Sequence, residues 1–317
     1  MGSRTLFIVS DPSLDQRRQE AQDTARLAVE AGMPSLGRIM EACIDESVAP
    51  GTLKIYRRVK QNFTAFASKF SMPLSALPKL RNLFIAHLID SGRTKAIPYH
   101  VAALSHFFGP LSEVDKEIQR ALLSSADRKS TPVTHRKKAT PGDVKRVVQW
   151  ALRLKTREAI LGASMILIAF VAMLRVSELC AARLSDLTHK GKDLWWLQIR
   201  KSKTDQKSAG ATVAFRIRGI TASLWEQYRG MVDQSNPEQF LFETLGGDPF
   251  KTDYAARFIK KTLEGAGLGH KGLTSHSFRG GAATTAIRGG ANPLNVMRAG
   301  RWKSVKALEC YIDPTPL

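Results

Sequence analysis

The chain is poor in cysteine, short of acidic residues relative to basic ones, and without an apolar run long enough to cross a bilayer. Its three cysteines, Cys43, Cys180 and Cys310, are scattered and form no C-x-x-C pair. That argues against a disulfide framework and against a cysteine-built zinc site, and it suits a reducing compartment. The longest apolar stretch, Ala159 to Leu174, is 16 residues and stops abruptly at Arg175. A membrane span needs about 20 such residues, so this stretch reads as a buried core helix. The N-terminus lacks the basic-then-apolar order and cleavage site of a secretory signal. Low-complexity segments and repeats of solenoid spacing are also missing.

What is present is positive charge and enough apolar sequence for two cores. The 317 residues are 43% hydrophobic, and the length makes two domains the starting expectation. Lys and Arg number 48 against 28 Asp and Glu, a net charge of +20 that needs a partner. Nucleic acid is the leading candidate, because each cation laid on a phosphate releases a counterion. A membrane surface is the alternative. The charge is uneven: residues 1–50 carry 5 basic and 8 acidic side chains, residues 51–134 carry 13 and 5, and residues 135–317 carry 30 and 15. The first segment is therefore unsuited to lie on DNA.

Residues 13–31 are compatible with a helix, and residues 1–50 are kept as a separate N-terminal segment of unclear role. From Gly51, apolar residues recur every three or four positions at Leu53, Tyr56, Val59, Phe63, Phe66 and Phe70, an amphipathic helix. Further helical segments follow near 80–91, 98–109 and 111–125, giving a small all-helical basic domain over 51–125. Its candidate DNA contacts are Arg57, Arg58 and Lys60; the alternative is a helical bundle with a solvated basic face. Residues 126–142 combine charges and two prolines with no hydrophobic period, and are expected to link two domains. Arg136, Lys137 and Lys138 could touch phosphates there. The second domain, 143–317, is expected to open with helices near 141–154 and 157–173. A β signal follows at Trp195–Ile199, then a polar turn from Arg200 to Gly210, then alternation at Val213, Phe215 and Ile217. The fold class expected is mainly α: a two-domain DNA clamp whose second domain carries a small antiparallel β-sheet.

Three clusters carry chemistry: Arg175-Val-Ser-Glu178, His276-Ser-Phe-Arg279, and Trp302 followed nine residues later by Tyr311. Singly each is ordinary. Arg175 with Glu178 reads as a helix-end ion pair, His276 with Arg279 as a surface pair at i and i+3, Trp302 as core, and Tyr311 as a packed aromatic. Their order and spacing in a chain of +20, with the basic turn Arg200-Lys-Ser-Lys203 between them, is what distinguishes them. The whole resembles the active-site pattern of the tyrosine recombinase (phage integrase) family. The stretch from His276 to Ile312 looks especially like Cre-type enzymes and recombinases borne on some eukaryotic transposons. The motif resemblance runs from about 137 to 311; the N-terminal helical region resembles the family's core-binding domain in architecture alone.

The resemblance implies a DNA strand-exchange enzyme with Tyr311 as nucleophile, making a 3′-phosphotyrosine and a free 5′-hydroxyl. The chemistry accounts for these residue types. Attack on a phosphodiester builds negative charge, and Arg175 and Arg279 present planar forks of donors that stay charged. Stabilising that charge is usually the largest catalytic contribution. His276 can donate to the phosphate and accept the tyrosine proton; an unperturbed phenol, with a pKa of about 10, needs such help. Trp302 offers only an indole N–H where many relatives carry His, so its implied role is donation and packing. The leaving 5′-oxygen needs a proton from a hairpin lysine. Lys203 is the first choice, with Lys201 and Lys207 still open and Lys201 also a DNA contact. Glu178 would orient a neighbouring catalytic side chain. No cofactor and no metal are expected, since the phosphotyrosine conserves bond energy and arginines neutralise the phosphate.

The implied partners are double-stranded DNA and further copies of the chain: a tetramer on DNA that passes through a Holliday junction, with a monomer or dimer when free. No membrane is expected, and the expected place of work is intracellular, with DNA, either cytoplasm and nucleoid or nucleus. A type IB topoisomerase is the rival of the same chemistry, opposed by His276 and Trp302; a non-catalytic DNA-binding protein is the rival of another class, opposed by the filled catalytic positions. Six residues follow Tyr311, and Pro314 and Pro316 among them oppose a helix that could dock on a neighbour. The acidic segment 1–50 is then the candidate for that contact. Gly280-Gly281 and Gly289-Gly290 are read as sites of close helix packing, and Cys310 as buried.

Overall fold

The computed structural model describes residues 16–70, 76–130, 137–200 and 210–312. The chain divides into two compact units, 1–133 and 134–317. The first contains six helices among its described residues: α1 (Gln16–Glu30), α2 (Pro34–Glu46), α3 (Pro50–Ala67), α4 (Leu77–Asp90), α5 (Ile97–Phe108) and α6 (Glu113–Lys129). Its core is the stripe seen in the sequence. Val59 and Phe63 of α3 meet Phe84, Ile85 and Leu88 of α4 and Leu104 and Phe108 of α5. Phe63 sits edge-on to both Phe84 and Phe108, with ring centroids 5.5 and 5.3 Å away, the arrangement aromatic quadrupoles favour.

Two boundaries differ from those expected. Residues 16–46 are not set apart from the helical domain: α1 and α2 pack together, α1 also packs on α5, and Ala21 and Ala25 are buried. The expected linker is shorter than 126–142. Its start is the last turn of α6, where Ala126 is buried, and Ala139 is 1% exposed and donates its N–H to the Ser277 carbonyl. The prolines and charges that suggested a linker include a helix start instead. Thr140 and Asp143 cap it reciprocally, each side chain accepting the other's backbone N–H, with Pro141 in the first turn.

The second unit is built around α8 (Arg157–Val171), in which eleven consecutive residues from Ala159 to Ala169 are buried. Helices α7 (Pro141–Leu154), α10 (Ile220–Gly230), α11 (Thr252–Gly265) and α12 (Ser275–Arg288) all pack against it. Enclosure on every side explains why this helix is apolar all round. A Cβ on Gly162 would run into Thr262, so α8 and α11 approach closely at that glycine. The sheet has three antiparallel strands in the order β1 (Leu187–His189), β2 (Leu194–Ile199) and β3 (Ala211–Arg216). Trp195 pairs with Phe215 and Leu197 with Val213 on the buried face, while Trp196 pairs with Ala214 on the other. Strand β1 went unread in the sequence because three residues are too few to show a period. Three short helices complete the unit: α9 (Val176–Ala181), α13 (Pro293–Ala299) and α14 (Val305–Glu309).

Candidate active site

Glu178 is the centre of the site. After α8 ends, the chain turns through Met173 at φ +49°, a left-handed conformation unusual for a side chain with a Cβ, and Arg175 becomes the N-cap of α9. Three residues on, Glu178 reaches back and accepts the Arg175 backbone N–H at 2.9 Å. The R-x-x-E spacing is thus a capping geometry that also sets the ion pair between Arg175 Nη1 and Glu178 Oε1 at 2.7 Å. Two more guanidiniums converge on the other carboxylate oxygen: Arg301 Nη2 at 2.6 Å and Arg279 Nη1 at 3.7 Å. Burial alone would raise the Glu178 carboxyl; Arg301 first, then the Arg175 N–H and guanidinium, outweigh it and hold the pKa below its ordinary value.

Arg279 lies on α12, one turn after His276, whose half-buried ring opens that helix on the same face. The Arg279 guanidinium has no exposed surface. It donates to the carbonyls of Met173, at 2.7 Å, and Gly300, and lies 4.4 Å from the Trp302 ring centroid and 6.0 Å from that of Tyr311. Contact with a phosphate therefore requires one of these neighbours to move. Burial first, and then the charge of Arg175, push its pKa down to about 9, which leaves it cationic at neutral pH.

Trp302 and Tyr311 stand 5.2 Å apart, ring to ring, in a cluster with Ala283, Val296 and Leu308. Gly300 is fixed by this packing, since a Cβ there would enter the Trp302 ring. The Tyr311 carbonyl accepts from Thr284 Oγ1 at 3.3 Å, tying the tyrosine backbone to α12. Gly280 and Gly281 sit at a close approach, though to the non-helical segment before α7 and to the tyrosine backbone and not to another helix as expected, while a Cβ on Gly290 would meet open space. A Cβ on Gly281 would strike the Ala139 backbone, and one on Gly280 would lie 2.9 Å from Lys138 and 3.1 Å from the Tyr311 carbonyl. Three buried side-chain donors of this cluster lack a partner among the described residues: Arg279 Nε, Arg301 Nε and the Trp302 indole N–H. Unpaired buried donors are costly, and several together mark a place that an anion can satisfy.

The structure thus brings Arg175, Glu178, Arg279, Trp302 and Tyr311 together. Lys203, Lys201 and Lys207 lie outside the described residues, as does Arg136. Just after β2, Arg200 pairs with the buried Asp186 at 2.5 Å and donates to Ser185 at 2.8 Å. Lys138, read as a linker contact, stands beside the tyrosine: its Nζ is 5.9 Å from the Tyr311 ring centroid and 3.5 Å from the Cys310 carbonyl. Lys137 is exposed. Cys310 is exposed too, not buried, because α14 turns its packed face through Leu308 instead. Arg301 was missed altogether; in sequence it is one more arginine beside a tryptophan, and only its φ of +59° and its inward side chain reveal it.

In the first unit, Arg57 and Arg58 are exposed, and the Lys60 ammonium lies over the Phe107 ring, 4.8 Å from its centroid. A cleft of about 1010 Å³ is lined by Arg58 together with Arg93, Lys95, Tyr99 and Lys129. The turn between α4 and α5 supplies two of these cations, Arg93 and Lys95, which lie outside any helical face legible in the sequence. Arg81 is no surface cation: it is 1% exposed, binds the Gly109 carbonyl at 3.0 Å, and is pushed down to about 10 by burial.

A mainly helical unit with a small antiparallel sheet, holding three arginines around one carboxylate and a tryptophan and a tyrosine beside one of them, defines a narrow class. Residues 139–316 match the phage integrase family, more than half of the chain, and the chain belongs to that family. It is 25% identical over 163 residues to the recombinase Cre of Escherichia phage P1, a match covering 46% of this chain and 47% of that protein. The chain thus matches about half the length of this curated relative. Among solved structures, the Tn1549 transposon integrase in complex with circular intermediate DNA aligns with TM-score 0.61 at 15% identity, over 85% of this chain and 91% of that one. A lambda integrase dimer bound to a COC′ core site aligns with TM-score 0.57 at 17% identity, over 92% and 85%. These two likenesses are of fold. No described helix is long and apolar enough to cross a membrane.

Proposed function

We propose that this chain is a site-specific DNA recombinase that cleaves and rejoins strands through Tyr311. The observation that carries the reading is the convergence of Arg175, Arg279, Trp302 and Tyr311, from four separated segments, in one cluster that holds unpartnered buried donors. In the forward step the Tyr311 oxygen bonds to phosphorus and the bond from phosphorus to the 5′-oxygen breaks. The phenolic proton goes to His276, and Lys203 gives a proton to the departing 5′-oxygen. Arg175 and Arg279 hold the nonbridging oxygens as charge builds there, with the Trp302 indole N–H as a further donor. Rejoining is the reverse, with a 5′-hydroxyl from the partner strand as the attacking group, and two such rounds pass through a Holliday junction. Glu178 acts on the arginines and not on DNA.

DNA is the substrate that the charge supports. The first unit offers Arg57, Arg58 and the basic cleft with Arg93, Lys95 and Lys129; the second offers Lys137 and Lys138 beside the site. Strand exchange between two duplexes needs four active sites, so the working form is a tetramer on DNA. The test is a supercoiled plasmid carrying two copies of the DNA that flanks this gene. Deletion or inversion between the copies supports the reading. Relaxation alone points to a topoisomerase, and binding without any change of DNA overturns the catalytic reading.

A further inference from the structure

We infer that Arg301 is a positioning residue that occupies Glu178 and so keeps Arg279 available to the phosphate. This rests on the reading of the site as a DNA-cleaving one. Four observations carry it. Arg301 has φ +59°, where glycine is the default, so a side chain is retained there against its backbone preference. That side chain is 10% exposed and points inward, with Nη2 at 2.6 Å from Glu178 Oε2 and 3.1 Å from the Met173 carbonyl. The same Met173 carbonyl accepts from Arg279, and Met173 is itself at φ +49°. Two of the four described non-glycine residues with positive φ therefore meet at one carbonyl in the site, whereas Lys155 and Lys192 lie elsewhere.

The geometry ranks the claims on the carboxylate. Arg175 has one oxygen at 2.7 Å, Arg301 has the other at 2.6 Å, and Arg279 is left at 3.7 Å, beyond hydrogen-bond distance. Without Arg301, Glu178 Oε2 keeps only the Arg175 backbone N–H, and Arg279 is the nearest cation able to take the vacant place. A shift of about 1 Å draws its fork toward Glu178 and away from the scissile phosphate. Misplacement of that size costs about 10²-fold in rate.

The test compares Arg301→Gly and Arg301→Lys with the unaltered chain. Glycine suits the backbone at φ +59° and leaves Glu178 paired to two arginines, so the fold is expected to hold. Three readouts are taken: melting temperature, affinity for the flanking DNA, and single-turnover formation of covalent adduct on a nicked form of it. The expected result for glycine is a rate about 10²-fold lower, with melting temperature and affinity nearly unchanged. Lysine, which restores one charge at Glu178, should recover about ten-fold of that loss. A glycine variant within about threefold of the original rate overturns the inference while the proposed function stands. Should the unaltered chain form no adduct, the proposed function falls, and the crystal structure of the glycine variant decides. Arg279 Nη1 within hydrogen-bond reach of Glu178 supports the inference, and Arg279 still 3.7 Å away overturns it.

Discussion

Replacing Arg279 by lysine keeps the charge and removes the shape. The guanidinium spans two carbonyls, Met173 and Gly300, while its Cζ lies over the Trp302 ring, 4.4 Å from the centroid. A lysine has one nitrogen at the end of a flexible stem, and one nitrogen does not serve both carbonyls and also stack. At least one buried carbonyl then loses its partner, at about 1–3 kcal/mol. For a unit of this size each kcal/mol lowers the melting temperature by about 2–4 °C, so a fall of a few to about ten degrees is expected. Cleavage loses more. By comparison with a deleted oxyanion donor, removal of a bidentate contact made in the transition state costs about 10²–10³-fold. The assay pairs a thermal melt with single-turnover cleavage well below the variant's melting temperature, so that folding and chemistry are read separately. A lowered melting temperature with cleavage within threefold of normal would show that Arg279 only holds the fold. An unchanged melting temperature would refute the packing argument.

Three other outcomes are expected. Lys203→Ala should fail on ordinary DNA yet cleave a substrate with sulfur at the 5′-bridging position, because a thiolate leaves without a proton; rescue of Lys201→Ala instead would reassign the general acid. DNA affinity should fall linearly in log–log terms with salt, at a slope of nearly one counterion per phosphate contacted; a flat line would detach the basic surface from DNA. Glu178 is depressed in the folded chain, so its stabilisation is complete above the ordinary carboxylate range and is lost as pH falls through the folded value. The stability difference between the original chain and Glu178→Gln should therefore be largest near neutral pH and shrink in acid; a difference independent of pH would contradict the ion-pair account.

Periodicity and punctuation made much of the fold legible. The apolar run that ends at Arg175 reads directly as a buried helix, and the Trp195–Ile199 alternation as a strand, because burial on all sides or on one face leaves those patterns. The site was legible as far as order and spacing reach: R-x-x-E, H-x-x-R and W-x₈-Y. What spacing leaves out is direction. Arg279 looks like a surface helix residue in sequence, yet it is wholly enclosed, because its partners are carbonyls of residues 106 and 21 positions away. Arg301 is invisible for a related reason, since no composition rule announces a side chain turned inward by a left-handed backbone. Lys138 shows the converse: its neighbours in sequence suggested a linker, while the glycines of α12 draw that strand of chain against the tyrosine.

The central claim is that Tyr311 becomes covalently joined to DNA. Trypsin cuts after Lys306, so the peptide beginning at Ala307 contains Tyr311 as its single tyrosine. Protein trapped on a nicked form of its flanking DNA can be digested with nuclease and trypsin and that peptide weighed and fragmented. The expected result is a 3′-linked nucleotide on the Tyr311 oxygen, absent from Tyr311→Phe. An adduct on another residue, or an adduct that survives Tyr311→Phe, would contradict the account.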